Sequence, residues 1–79
     1  MNFIQHCVNE GIERFGFTSI EIDLYVKYAR ESSSAIEYAS RIIEHHRSLD
    51  ENIDASEILD FAEYVMGFIN HARNFYLSE

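Results

Sequence analysis

The sequence predicts an all-α protein, a small bundle of about four helices that forms a single domain over residues 1–79. Proline is absent, so three glycines and one serine cluster are the main interruptions of helical structure. Apolar residues make up 47% of the chain and recur at helical spacing, which is enough to fill a core. The single cysteine excludes an internal disulfide, so a chain of this length could gain stability by assembling as a homodimer.

The first helix is predicted from Asn2 to Phe15. Apolar residues recur along this segment at intervals of three and four positions, as one buried helix face requires. Gly16 follows the last apolar position and fits a left-handed C-cap, because glycine adopts positive φ without steric cost. Gly11 lies inside the helix and lowers its intrinsic propensity.

The second helix is predicted to follow a capping box formed by Thr18 and Glu21, and to end near Arg30. Residues 20–28 also alternate between apolar and polar side chains, which is the pattern of a half-buried strand. We predict a helix because no other segment offers a partner strand, and an unpaired strand leaves its backbone groups unsatisfied. A strand paired across a dimer is the alternative.

The third helix is predicted from a second capping-box spacing. Ser34 and Glu37 are three residues apart, which places the helix from Ala35 to Ser48. Residues 32–34 could instead be a kink inside one longer helix.

The fourth helix has the clearest start signal and the widest apolar arc. Asp54 and Glu57 form a capping-box pair, so the helix is predicted from Ala55 to Leu77. Its apolar residues spread over roughly 220° of the helix surface, about twice the usual stripe. Either the other helices wrap this helix on both sides, or one flank is left for a partner or a second copy.

Acidic residues collect in one part of the chain. Between Arg47 and Arg73 there is no Lys or Arg, while six carboxylates occur there. The formal net charge of −8 disfavours direct binding to nucleic acid or to an anionic membrane, and it favours a basic protein surface. Aromatic residues beside the acids would supply apolar anchors. The predicted partner-binding residues are Asp50, Glu51, Asp54, Glu57, Asp60, Glu63, Phe61 and Tyr64.

Few residues suggest chemistry. His46 projects into the apolar face of the third helix and is best explained as a hydrogen-bonded histidine of the core or an interface. Arg41 and His46 have the Arg-x4-His spacing of a class of small helical ribonuclease domains, but Ile42 stands where a polar residue is usual. No phosphate loop, serine elbow or set of three metal ligands occurs. We therefore predict no catalytic residue, metal or cofactor, and expect no enzyme.

These observations lead us to expect a small acidic regulator or inhibitor that docks an acidic helix face on a basic, nucleic-acid-binding protein. Phages and other mobile elements encode antagonists of this type, including nucleic-acid mimics. One alternative is a self-associating structural or assembly subunit, and another is a ribonuclease-like enzyme that uses Arg41 and His46. The sequence shows neither a signal peptide nor a run of about 20 apolar residues, so we expect a cytoplasmic protein.

Overall fold

The computed structural model describes residues 3–17 and 21–76, with the side chains of residues 75 and 76 excepted. Helix α1 spans Phe3–Phe15, α2 spans Ile22–Glu31, α3 spans Ala35–Ser48 and α4 spans Ala55–Tyr76. No strand occurs in these ranges, so the predicted all-α fold is confirmed. Each helix packs on its neighbours in the chain, and α4 closes the arrangement by packing on α1.

The core lies between the four helices and has an aromatic centre. Phe61 has no exposed surface, and its ring centroid lies 5.1–6.0 Å from those of Phe15, Phe17, Tyr25 and Tyr38. These rings come from α1, the segment after it, α2 and α3, so one side chain of α4 contacts every other part of the bundle. The remaining wholly or nearly buried apolar residues are Cys7, Val8, Val26, Ala29, Ala39, Ile42, Ile58, Ala62, Val65, Met66 and Ile69.

Helices α1 and α4 approach closely at Gly11. A Cβ atom added there would lie 2.7 Å from Phe61 Cε2 and 2.7 Å from Val65 Cγ2, well inside ordinary contact distance. Gly11 therefore does more than weaken α1, because the absence of a side chain lets the two helices meet. Gly16 ends α1 with φ +69°, which confirms the predicted left-handed C-cap.

The segment with competing patterns is helical. α2 begins at Ile22 and extends one residue beyond the predicted end. The predicted capping box is wrong, because Glu21 is itself the N-cap residue, with extended backbone at φ −89° and ψ 92°, and its side chain makes no capping hydrogen bond. Thr18, the predicted capping residue, lies outside the described residues, as do Asn2 and Leu77. The buried residues of α2 are Tyr25, Val26 and Ala29, which follow the helical period and ignore the alternation.

Residues 32–34 separate two helices, so the alternative of one kinked helix is wrong. Ser34 Oγ accepts a hydrogen bond from Glu37 N at 3.1 Å, which caps α3 as predicted. Side chains of α4 then hold this connection. Arg73 donates to the Ser32 carbonyl at 2.9 Å, and the Asn70 amide donates to the Ser33 carbonyl at 3.2 Å.

Helix α4 begins at Ala55, as predicted from the Asp54 cap. Asp54 Oδ1 accepts hydrogen bonds from the backbone N–H groups of Ser56 at 3.0 Å and Glu57 at 3.3 Å. Two of the free amides at the helix start are thereby satisfied. The negative side chain also lies at the positive end of the helix dipole, which adds to the stabilisation.

Candidate binding surface

The six predicted carboxylates form an exposed acidic segment, by which we mean Asp50, Glu51, Asp54, Glu57, Asp60 and Glu63. On α4, Glu57, Asp60 and Glu63 fall within an arc of about 120° at 100° per residue. Within the described ranges, no ion pair involves these three residues, Asp50 or Asp54. The chain's own arginines therefore leave most of this negative charge uncompensated.

The first part of the acidic segment is a tight turn after α3. Asp50 adopts φ +57°, a conformation that aspartate tolerates better than most residues, and its N–H donates to the Arg47 carbonyl at 3.0 Å. The N–H of Glu51 donates to the His46 carbonyl at 3.0 Å. These bonds fix the two carboxylates beside the C-terminal end of α3, where the helix dipole adds negative potential.

Leu49 provides an exposed apolar side chain beside these acids, and sequence reasoning missed it. It is 54% exposed and directly precedes Asp50. The sequence did contain a signal for this exposure. Leu49 directly follows the predicted end of the third helix, so it is not part of the helix face that packs in the core.

Phe61 must be removed from the predicted contact residues. The flank position of Phe61 on α4 suggested an exposed ring, whereas the side chain is wholly buried. The physical reason is that α1, α2 and α3 all contribute rings to this side of α4, and a helical projection of one segment does not reveal such neighbours. No partner can reach this ring while the bundle stays folded.

Tyr64 is half-buried and already has neighbours on both sides. The Arg14 guanidinium carbon lies 5.1 Å from its ring centroid, which is cation–π geometry. The rings of Phe15 and Phe68 lie 6.0 and 5.1 Å away, centroid to centroid. Only the remaining edge of Tyr64 is available beside the acidic segment.

Phe68 is more exposed than Phe61 and Tyr64, the other phenyl and phenol rings whose side chains are described on α4, with half of its surface open at 51%. It stands between two shallow grooves. The first, of about 310 Å³, lies towards α1 and includes Phe3, which is itself 48% exposed. The second, of about 340 Å³, is lined by Tyr64, Gly67, Phe68 and His71. Phe68 is not among the partner-binding residues predicted from the sequence.

Gly67 has no packing partner that explains a glycine in the middle of a helix. A Cβ atom there would meet nothing within 4 Å, in contrast to Gly11. Because glycine costs roughly 1 kcal/mol relative to alanine in a helix interior, the position is less stable than the fold requires. The glycine leaves an open hollow on the exposed face of α4.

His46 is the centre of a polar cluster that joins α2, α3 and the following turn. Tyr25 Oη lies 2.7 Å from Nε2, and Glu51 Oε1 lies 2.9 Å from Nδ1. An ionised carboxylate only accepts hydrogen bonds, so in the neutral ring Nδ1 carries the proton and Nε2 accepts from the tyrosine hydroxyl. Tyr38 in turn donates to the Tyr25 carbonyl at 3.1 Å. His46 is thus a hydrogen-bonded histidine, as predicted.

This cluster is sealed from solvent at its inner end. Tyr25 is 1% exposed, and burial together with the carboxylates of Glu51 and Glu21 raises its pKa to about 12. The phenol is therefore held in its neutral, donating form. The cluster's contacts fasten the acidic turn to α2 and α3.

Arg41 and His46 lie about 140° apart around α3 at 100° per residue. Arg41 pairs with Glu31 at 3.8 Å and Glu37 at 3.7 Å, while His46 contacts Tyr25 and Glu51. The structure thus gives the two side chains separate partners and does not bring them into one site.

Other chemical features of the described chain are limited. Cys7 is buried in the core, and desolvation, with a smaller contribution from Glu10, raises the pKa of its thiol. In residues 3–17 and 21–76, no three His, Cys, Asp or Glu side chains are grouped so that they could hold a metal ion. Over the same residues, no helix combines the length and hydropathy required to cross a membrane.

Comparison with protein-family models, with curated proteins and with solved structures finds no match to this chain.

Proposed function

We propose that this protein is an acidic protein-binding regulator that docks its acidic segment on a basic surface of another protein. The observation that carries the proposal is the exposure of six carboxylates from Asp50 to Glu63, five of them without an ion pair among the described residues. These carboxylates would take the place of phosphates in a groove of Lys and Arg side chains. A partner that uses the groove for nucleic acid would then be inhibited by competition.

Apolar contact at the edges of the acidic segment completes the proposed interface. Leu49 lies beside the acidic turn and is more than half exposed. The free edge of Tyr64 lies one turn after Asp60 on α4. Such apolar groups supply most of the binding free energy at interfaces, whereas exposed charges set orientation and association rate.

The electrostatic part of this mechanism predicts a strong dependence on salt. Charges on an exposed surface are screened beyond about 8 Å at physiological ionic strength. Clustered acids therefore accelerate association more than they slow dissociation. The lone buried thiol of Cys7 is compatible with action in a reducing cytoplasm.

The test begins with capture of basic proteins from the native host on the immobilised chain at low and high salt. The captured protein is then purified and titrated with the wild type and with an Asp60→Lys, Glu63→Lys variant. We expect Kd to rise roughly 10- to 100-fold, because each reversal replaces an attraction by a repulsion of similar size. Circular dichroism should show unchanged helicity, since both side chains are exposed.

A matched control variant distinguishes the loss of contacts at the acidic segment from the effect of a changed net charge. Glu13→Lys with Glu44→Lys reverses two exposed carboxylates on α1 and α3, and both variants shift the formal charge by four, from −8 to −4. The control should change Kd by less than about 3-fold through long-range steering alone. Equal weakening by the two variants, or unchanged binding by the first, would remove the acidic segment from the mechanism.

A further inference from the structure

The exposed face of α4 combines a projecting ring with an adjacent hollow. Phe68 projects with half of its surface open, and Gly67, the residue before it, leaves a space that no atom fills within 4 Å. The groove of about 340 Å³ at this point is lined by Tyr64, Gly67, Phe68 and His71. A knob beside a hole on one surface is self-complementary, which is the requirement for a two-fold interface.

We propose that two copies of this chain associate through α4 in an antiparallel pair, with the two-fold axis passing between Gly67 and Phe68. Each Phe68 ring then occupies the hollow over Gly67 of the other copy. Tyr64 of one copy lies opposite His71 of the other, one turn from the axis on either side. The face has the spacing of a helix-packing seam, since residues 60, 64, 67, 68 and 71 recur at intervals of three and four.

Charge distribution along α4 favours a second copy in this orientation. The first part, residues 55–63, carries three carboxylates, whereas residues 64–76 carry none. Arg73 does not belong to this face, because its guanidinium donates to the Ser32 carbonyl on the opposite side of α4. An antiparallel pair places each acidic half opposite an acid-free half. A parallel pair would place the two acidic halves side by side, where like charges repel.

This interface shares Asp60 and Tyr64 with the proposed docking surface but leaves the acidic turn free. Asp50, Glu51 and Asp54 lie at least 13 positions before Gly67, roughly 20 Å away at 1.5 Å per helical residue. A dimer would thus present an acidic surface at each end. Dimerisation is measured on the purified chain without any partner, and the variants below keep every carboxylate, so loss of dimerisation is distinguished from loss of partner binding.

Sedimentation equilibrium tests the association directly. We expect the wild type to reach twice the 9.3 kDa of one chain as its concentration rises. Phe68→Ser removes the knob and Gly67→Leu fills the hole. Truncating one central buried aromatic side chain raises Kd about 30-fold. The symmetric dimer contains two copies of Phe68, so Phe68→Ser should raise the Kd of the dimer roughly 1,000-fold.

Both variants should keep the monomer folded. Phe68 is half exposed, and a side chain at position 67 meets open space, so helicity by circular dichroism should be retained. Ser40→Leu is the matched control, because it adds a leucine to an exposed position of α3 away from this face. The control should dimerise like the wild type. A wild type that stays monomeric at millimolar concentration, or variants that dimerise equally well, would overturn the proposal.

Orientation is tested with a spin label at Ser56→Cys, an exposed site near the start of α4. In the antiparallel pair the two labelled positions are about 35 Å apart along the helix axis, at 1.5 Å per residue from the two-fold axis. Pulsed electron paramagnetic resonance should detect this separation. Native Cys7 is buried and does not compete for the label. A separation below about 20 Å would indicate a parallel pair and overturn the antiparallel arrangement.

Discussion

The two glycines inside helices should respond in opposite directions to the same substitution, Gly→Ala. At Gly11, the new Cβ would lie 2.7 Å from atoms of Phe61 and Val65, both wholly buried. Ordinary van der Waals contact begins at 3.4 Å, so core atoms would have to move by about 0.7 Å. At Gly67, the new methyl group meets nothing within 4 Å.

The structure sets the size of each effect. Overpacking of a core costs about 1–3 kcal/mol, and the gain in helix propensity returns up to about 1 kcal/mol. Because two buried atoms clash at Gly11, we expect Gly11→Ala to lower the free energy of unfolding by about 2 kcal/mol. Gly67→Ala should raise it by up to about 1 kcal/mol in the monomer. For a domain of this size, these changes correspond to roughly 8–16 °C lower and 4–8 °C higher Tm.

Thermal and urea unfolding, followed by circular dichroism, measure both variants. The experiments use a dilute protein solution that sedimentation shows to be monomeric, so that association does not contribute to Tm. A Gly11→Ala protein as stable as the wild type would refute the close approach of α1 and α4. A Gly67→Ala monomer that lost stability would refute the open hollow on α4.

Two further predictions concern the pH dependence of stability and the start of α4. Since the pKa of Tyr25 is raised to about 12 in the folded protein, this residue keeps a proton that the unfolded chain loses above about pH 10. Its contribution to the free energy of unfolding is therefore complete below about pH 10 and declines as the pH rises towards 12. Tyr25→Phe should show a shallower alkaline loss in urea titrations, and an identical slope would contradict the assignment. Asp54→Ala removes the acceptor for two backbone N–H groups and should lower Tm by roughly 4–8 °C, at about 1 kcal/mol. Asp54→Asn keeps an acceptor and should lose much less, so equal losses would place the effect elsewhere.

Much of the helical framework could be predicted because its signals are local. Ser34 and Asp54 cap the helices that follow them through hydrogen bonds to residues two or three positions ahead. Gly16 ends α1 for an equally local reason, its positive φ. The ambiguous segment after Glu21 was also predicted correctly as a helix, because no other segment of the sequence offers a partner strand. Exposure of the six carboxylates also followed from the cost of burying unpaired charge.

The candidate surface depended more on contacts between distant segments. Phe61 and Phe68 are seven residues apart and share one flank of α4, yet the first is wholly buried and the second half exposed. The difference arises because rings from α1, α2 and α3 cover only the first, and the sequence of α4 contains no trace of that coverage. His46 likewise obtained its partner Tyr25 from 21 residues away.

The sequence by itself determined the helical class, the positions of three helix starts or stops, and an acidic region without basic residues, because propensity, capping and charge act over a few neighbouring residues. Only the tertiary structure decided which aromatic side chains remain accessible. It also decided that Gly11 permits the close approach of α1 and α4, whereas Gly67 leaves a hollow on the exposed face of α4. Burial is a property of what packs on a residue, and in a bundle the packing neighbours come from other helices.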